Sequence, residues 1–502
     1  MSRKRKLFLN TFSGMLRQLT VVICGFILPR YMLLYFGSSL NGLVSSISHF
    51  LNFITFLEMG VGAVVQSNLY GPLAENRVDK ISEIFMASES FFRKIAWIFI
   101  GYIVVLLFVF PTVINNDYNG LFIASLIVII SISLFAQYFF GISYQLLLNA
   151  DQKSYIQNAI GIIAVLLNTI FCILLMKLGK SIHVVKLVSA FVFLIQPLFM
   201  AVYVKKHYQI DRHIRIVGEP IKQKWNGFAK HLAAIICNNV DVTVLTLFST
   251  LTNVSIYSVY YAVTNGITQI ILTGAMGLES LFGSMLAKRE QDKLLVTFEA
   301  AEWTIHICAT ILYTIMAVLI IPFIRIYTAG ITDANYVLPS FGILLALAYG
   351  SMCIRIPYFR MIKAAGHYKQ TERGAYISAI INIVLSVGLV IPCGLPGIAF
   401  GTLAALLYHT CYFANYLRNN IICRPINHFM RYLFLDFVAG GIVFILTSGM
   451  ELANLTYYAW IFLAIKVALV TVMVVGVLHI LFNRRITENV LKLFLGKLKS
   501  RA

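Results

Sequence analysis

Apolar runs of about 18 to 25 residues recur from one end of the chain to the other, each long enough to cross a hydrocarbon core roughly 30 Å thick as a helix. The runs fall near 7–36, 41–68, 92–113, 119–147, 155–176, 182–204, 227–249, 254–286, 298–324, 336–359, 374–391, 395–417, 431–449 and 456–482, about fourteen in all. The expected fold class is therefore an all-α integral membrane protein. Only short connections separate the runs, which leaves no room for a soluble catalytic or nucleotide-binding domain. The lack of a G-x-x-x-x-G-K-[ST] run argues against ATP hydrolysis by this chain. Composition agrees: 59% of the 502 residues are apolar and 12% are charged, against roughly 25% charged in soluble domains.

A net charge of +20 raises the question of a polyanion partner, and the distribution of the charge answers it. With the amino terminus in the cytoplasm, roughly thirty of the forty Lys and Arg fall on the cytoplasmic side, against Lys177, Lys180 and Arg325 on the other. That is the positive-inside pattern, so the excess sets orientation and no nucleic-acid partner is expected. Both termini are then cytoplasmic. The basic start leads into a segment interrupted by Asn10, Ser13 and Arg17, which does not read as a cleavable signal peptide. Eight cysteines lie scattered without C-x-x-C spacing and read as small core residues, with no metal site expected. Beyond residue 486, apolar residues alternate with Lys492, Lys497 and Lys499, which suits a helix lying on an anionic membrane surface.

Sliding the sequence against itself at an offset near 213 reveals an internal repeat. FSGMLRQLTVVIC (12–24) lies over WNGFAKHLAAIIC (225–237), pairing Gly14 with Gly227, Arg17 with Lys230 and Cys24 with Cys237. The same register pairs Asn52 with Asn265 and Asp79 with Asp292, and one residue further on it pairs Ala150 with Ala364 and Asn168 with Asn382. Six crossings per half, an even number, give both halves the same orientation, so two six-helix bundles related by a parallel repeat are expected, plus two C-terminal helices. The corresponding domains are an N-terminal lobe (1–208), a linker (209–225), a C-terminal lobe (226–420) and the extra helices with a basic tail (421–502).

A charge at mid-bilayer is worth about 2.5 to 3.5 kcal/mol of insertion penalty, so each one asks for a partner or a hydrated cavity. Asn10, Ser13, Arg17 and Thr20 share one face of the first helix, and Asn41, Ser45, Ser48, Asn52 and Thr55 form a stripe on the second that Glu58 adjoins. Ser258, Tyr261, Asn265 and Thr268 repeat that stripe in the second half, continuing to Glu279. Arg17, Lys230, Arg30, Arg355, Asn52 and Asn265 are the candidates for binding an anionic, hydroxylated cargo. Glu58, Asp241 and Glu279 are candidates for holding a coupling proton or sodium ion, or for balancing the basic residues. No catalytic constellation stands out. The bland alternatives are helix-to-helix hydrogen bonding by Ser, Thr and Asn, and snorkelling by Arg30 and Arg355.

The runs GFILPRYMLLYFG (25–37), LNGLVSSISHFLNFITFLEMGVG (40–62) and NNVDVTVLTLF (238–248) resemble bacterial polysaccharide flippases of the Wzx type, in the multidrug/oligosaccharidyl-lipid/polysaccharide (MOP) exporter superfamily. The resemblance implies two six-helix lobes around a central cavity in the bacterial cytoplasmic membrane. As cargo it implies an undecaprenyl-pyrophosphate-linked oligosaccharide for O-antigen or capsule assembly, moved by an ion gradient without ATP. Membrane lipid and polysaccharide polymerase or other assembly proteins are the implied partners. Competing expectations are a multidrug or metabolite cation antiporter of the same superfamily and, from another class, a membrane polysaccharide polymerase or ligase.

Overall fold

The computed structural model describes residues 3–58, 60–114, 118–214, 240–484 and 486–487. Lys230, most of the seventh apolar run, the linker beyond residue 214 and the basic tail lie outside these. Every regular element described is helical. In chain order they are α1 (Arg3–Asn52), a 3-10 turn (Phe53–Leu57), α2 (Val61–Glu75), α3 (Val78–Val113), α4 (Gly120–Ala136), a π turn (Gln137–Gly141) and α5 (Ile142–Ala150). Next come α6 (Ser154–Lys177), α7 (Ile182–His207), α8 (described over 240–248), α9 (Leu251–Gly274), α10 (Leu278–Ala287) and α11 (Gln291–Tyr327). The rest are α12 (Pro339–Ile354), α13 (Ile356–Ala364), α14 (Glu372–Asn420), α15 (Asn427–Thr447) and α16 (Tyr457–Phe482).

Two of these helices are too long to be single crossings. At about 1.5 Å per residue a straight helix of 50 residues would span roughly twice the hydrocarbon thickness. α1 therefore breaks at Gly37 (φ 80°) and α14 at Gly394 (φ 59°), where only glycine adopts the left-handed backbone without penalty. In α14 the two arms run back along each other, with Ser378 Oγ donating to the Ala405 carbonyl at 2.9 Å. Eleven helical stretches among the described residues are long and apolar enough to cross a membrane, and 8–57 and 369–420 each hold two helices joined at such a glycine. Exposure is inverted as lipid requires: Leu121 is 79% and Ile391 78% exposed, whereas Glu302 and His306 are 0% exposed. The chain is a multi-pass membrane protein.

The polar stripes are shorter than the sequence suggests. The second crossing leaves α-geometry at the 3-10 turn and at Gly60 (φ 94°), and its counterpart in the second half breaks between Gly274 and Leu278. Glu58 and Glu279 thus sit at helix breaks and do not extend the faces carrying Asn52 and Asn265. The 3-10 turn in one half and the interruption at 275–277 in the other override the uninterrupted helical spacing on which that expectation rested.

Two compact units are present, 1–255 and 256–502. In the first, α1 packs along α6, α4 along α7, and α3 against α4. Residues 240–255 belong to this unit, so the division falls after Ser255 and outside the 209–225 segment. Asn41 Nδ2 donates to Ser255 Oγ at 2.8 Å, and the Ser46 and Thr246 hydroxyls are 2.9 Å apart. Between them Gly42 meets the Leu251 carbonyl so closely that a Cβ would lie 1.7 Å from its oxygen. In the second unit α12 packs along α14, α10 against α13, and α15 and α16 both against α11.

The duplication extends to backbone geometry and to hydrogen bonds. Asn76 (φ 53°) and Arg289 (φ 57°), 213 residues apart, both take the left-handed conformation, as do Gln152 (φ 56°) and Gly366 (φ 74°) one residue further along the register. Phe85 packs on Tyr144 at 5.2 Å and Phe298 on Tyr358 at 5.6 Å. The Asn168 side chain accepts from Cys172, and its repeat partner Asn382 accepts from Ser386.

Candidate functional site

Inside the first unit lies a cavity of about 400 Å³, within the range of small-molecule sites. α1 supplies Arg17 from one arm and Ser48, Leu51 and Asn52 from the other. α4 and the π turn supply Ser133, Gln137 and Gly141, α5 supplies Gln145, and α7 supplies Phe193, Gln196, Pro197 and Met200, with Ile130 and Leu134 completing the wall.

Local backbone irregularities shape it. The π turn opens the helix where Gln137 faces the cavity, a distortion that recurs at functional sites. Gly141 lets α7 approach, since a Cβ there would stand 3.1 Å from that of Pro197. Pro197 in turn has no amide hydrogen, which leaves the Phe193 carbonyl without its helical donor.

Arg17 dominates the electrostatics. Its guanidinium lies against α6 at Gly161, where a Cβ would come within 2.9 Å of Nε and 3.3 Å of Cζ. It makes no ion pair or hydrogen bond with the described residues. The cavity thus combines one guanidinium with four carboxamides (Asn52, Gln137, Gln145, Gln196) and two hydroxyls (Ser48, Ser133), and no carboxylate lines it among the described residues. Such a set attracts an anion and offers both donors and acceptors to a hydroxylated ligand.

The structure brings Arg17, Ser48 and Asn52 together and places the remaining candidates elsewhere. Arg30, beside Pro29 in the same arm, does not line the cavity. Asn41, on the same stripe as Ser48, is helix-to-helix glue through Ser255. Glu58 accepts from Tyr138 of the π turn at 3.2 Å. Asp241 is buried at the start of the described part of α8.

In the second unit, Arg355 sits at the break between α12 and α13, donates to His409 Nδ1 at 2.5 Å and lies over the Phe413 ring. Asn265 accepts a long bond from Gln269 at 3.4 Å. Glu279 is ion-paired with Arg360 at 3.0 Å and approaches Lys363 at 4.0 Å, which is charge balance in geometric terms.

Sequence reasoning passed over the three cavity glutamines. The spacing of Ser133 and Gln137, one helical turn apart in an apolar run, was the available signal.

A second polar cluster fastens the start of α1. Asp151 receives Lys6 Nζ at 3.0 Å, Lys153 Nζ at 2.7 Å and the Tyr208 hydroxyl at 2.6 Å. Burial pushes the Asp151 carboxyl up, but these hydrogen bonds outweigh it and hold the group below its ordinary value. Asn10 adds bonds to the Gln152 carbonyl and the Tyr155 amide, both 2.9 Å.

No protein-family model and no curated protein matches the sequence. Solved structures do. A lipid II flippase, MurJ, in an inward closed conformation superposes with a TM-score of 0.73 at 15% identity, covering 96% of this chain and 100% of that one. This chain has the fold of those transporters. An inward-facing multidrug resistance MATE family transporter of the MOP superfamily gives 0.55 at 14% identity, covering 81% of this chain and 94% of its own. A mutant of the Vibrio cholerae MATE transporter VcmN gives 0.56 at 12% identity, over 83% and 98%. Flippases and drug transporters thus share this architecture.

Proposed function

We propose that the chain is a flippase that carries an undecaprenyl-pyrophosphate-linked oligosaccharide across the bacterial cytoplasmic membrane, by ion-gradient-driven alternating access, for assembly of a surface polysaccharide such as O-antigen or capsule. Both termini are placed in the cytoplasm, on the distribution of Lys and Arg. One observation carries the reading: the cavity holds a guanidinium without an anion partner among the described residues, ringed by amides and hydroxyls and by no carboxylate. A pyrophosphate is matched by Arg17, and sugar hydroxyls are matched by Asn52, Gln137, Gln145 and Gln196. Lys230, the repeat partner of Arg17, is the proposed second cation.

A multidrug cation antiporter is the rival that the MATE likeness suggests. Its cargo favours an acidic cavity, and the Arg17 lining disfavours it. The transporter neighbours also weigh against a polymerase or ligase.

The test is translocation of fluorescent undecaprenyl-pyrophosphate oligosaccharide in proteoliposomes, with a lipophilic drug cation as the alternative cargo. Arg17→Ala and Arg17→Glu are expected to abolish sugar-lipid movement and Arg17→Lys to retain part of it, because a point cation still binds phosphate. Drug transport by the wild type that survives Arg17→Glu, together with no sugar-lipid movement, would decide for the antiporter.

A further inference from the structure

The second unit contains a polar cluster that the cargo reading does not use. His306 on α11 and His479 on α16 are each 0% exposed, and between them lies Asp436 of α15, 8% exposed. His306 Nδ1 is 2.5 Å from Asp436 Oδ2, and the Thr310 hydroxyl donates to Oδ1 at 2.7 Å. His479 Nε2 stands 3.6 Å from Oδ1, within ion-pair range but longer than a hydrogen bond. Both nitrogens of His479, Nε2 of His306, the Tyr432 hydroxyl and the Trp303 indole nitrogen are buried without a hydrogen-bond partner among the described residues. Buried polar atoms are nearly always paired, so five such orphans in one place mark a site with a task.

The neighbouring charges balance among themselves. Glu302 of α11 is chelated by Arg424, whose Nη2 lies 2.6 and 2.7 Å from its two oxygens, and it also receives the Tyr358 hydroxyl of α13. Glu299 lies 3.7 Å from Arg424. Arg431 of α15 is exposed and donates to the Phe482 carbonyl. Among the described residues the ion pairs of Asp436 are those with the two imidazoles. Among the described residues no group of three His, Cys, Asp or Glu is arranged to hold a metal ion.

The geometry points to a proton-binding site, in which His306 donates permanently to Asp436 while His479 exchanges one proton with the aqueous phase, turning from neutral imidazole to imidazolium. With one charged ring the His–Asp–His set is neutral, and with two it carries one positive charge. Gaining that proton gives His479 a charge-assisted bond to Asp436 and draws α16 toward α15. Two of the three groups come from α15 and α16, the pair outside the internal repeat, so these helices complete the site and are more than an appendage. Coupling of this proton to movement of cargo rests on the flippase reading; the proton site itself does not.

Two arms separate these claims. Ring-nitrogen NMR of histidine-labelled protein in lipid vesicles, assigned through His306→Gln and His479→Gln, reads the charge of each ring without any cargo. Over a scan from about pH 8 to pH 5 the set is expected to take up one proton at a ring nitrogen, and that uptake is expected to vanish in Asp436→Asn. Rings of fixed charge over that range overturn the proposal, as does an Asp436→Asn titration indistinguishable from wild type. Should Asp436→Asn fail to accumulate, Thr310→Val removes a single bond to the carboxylate, and an unmoved titration midpoint in that variant counts equally against the site. In proteoliposomes with labelled undecaprenyl-pyrophosphate oligosaccharide, His479→Gln is expected to erase the response of transport to a pH gradient. An undiminished response refutes the coupling. No movement in wild type refutes the flippase reading, and the ring titration then decides the proton site by itself.

Discussion

Gly161→Ala separates the position of the Arg17 guanidinium from the stability of the fold. The added Cβ would stand 2.9 Å from Nε, 3.3 Å from Cζ and 3.5 Å from Cδ of Arg17. Carbon contacts relax near 3.5 to 4 Å, so the guanidinium has to retreat by about 0.5 to 1 Å. Being the end of a flexible side chain, it can do so cheaply. Alanine within a helix is also favoured over glycine by about 0.5 to 1 kcal/mol, so the variant is expected to melt no lower than wild type. The binding geometry changes nonetheless. A charge-assisted hydrogen bond is worth about 1.5 to 3 kcal/mol, which corresponds to roughly ten- to hundredfold weaker capture of a pyrophosphate. Gly25→Ala, on the same arm with nothing within 4 Å of its added Cβ, is the control and should transport normally. The assays are thermal unfolding in detergent and half-saturating cargo concentration in proteoliposomes. Normal half-saturation in Gly161→Ala, alongside loss in Arg17→Ala, would refute the claim that this packing sets the site.

Gly42→Ala should behave in the opposite way. Its Cβ would meet a backbone oxygen at 1.7 Å, so α1 must part from Leu251, and a loss of at least about 1 to 3 kcal/mol is expected in thermal unfolding; an unchanged midpoint would contradict the contact. Arg424→Met leaves Glu302 buried without its cation and should destabilise the second unit by about 3 to 5 kcal/mol, whereas Glu302→Leu combined with Arg424→Met should be less damaging than the single change. Equal melting of the two variants would show that the ion pair does not hold that corner. For Asp151 the folded carboxyl lies below the unfolded value of about 3.9, so its contribution is complete above that pH and is lost only as pH falls through the lower folded value. Amide-exchange protection in the first turns of α1 should therefore be flat from about pH 8 to pH 5 in wild type and reduced throughout in Asp151→Asn.

The fold was legible because lipid imposes the strictest of patterns: a long apolar run can be little else than a crossing. Arg17, Ser48 and Asn52 were legible for a related reason, as polar residues recurring at helical spacing inside such runs. The three cavity glutamines were not, because each stands alone on its own helix and only packing assembles them. Glu279 does not continue the face of Asn265 because the helix breaks between Gly274 and Leu278, and periodicity cannot see such a break. The cluster at Asp436 was hidden for yet another reason. Glu302, His306 and Thr310 do share one face of α11 at four-residue spacing, but their meaning depends on α15 and α16, more than a hundred residues further along the chain.

The matched left-handed turns carry a practical consequence. Gln152 and Gly366 hold the same backbone shape at equivalent points of the two halves, one with a side chain that resists it and one without. A protein of this kind serves as its own reference library: wherever one half has drifted to a residue ill-suited to the inherited geometry, the other records a better choice. Writing glycine at residue 152 is the first such edit, with relief of about 1 kcal/mol to be expected from the left-handed backbone alone. Reading each half against the other in this way gives a route to sturdier variants for purification that needs no sequence beyond this one.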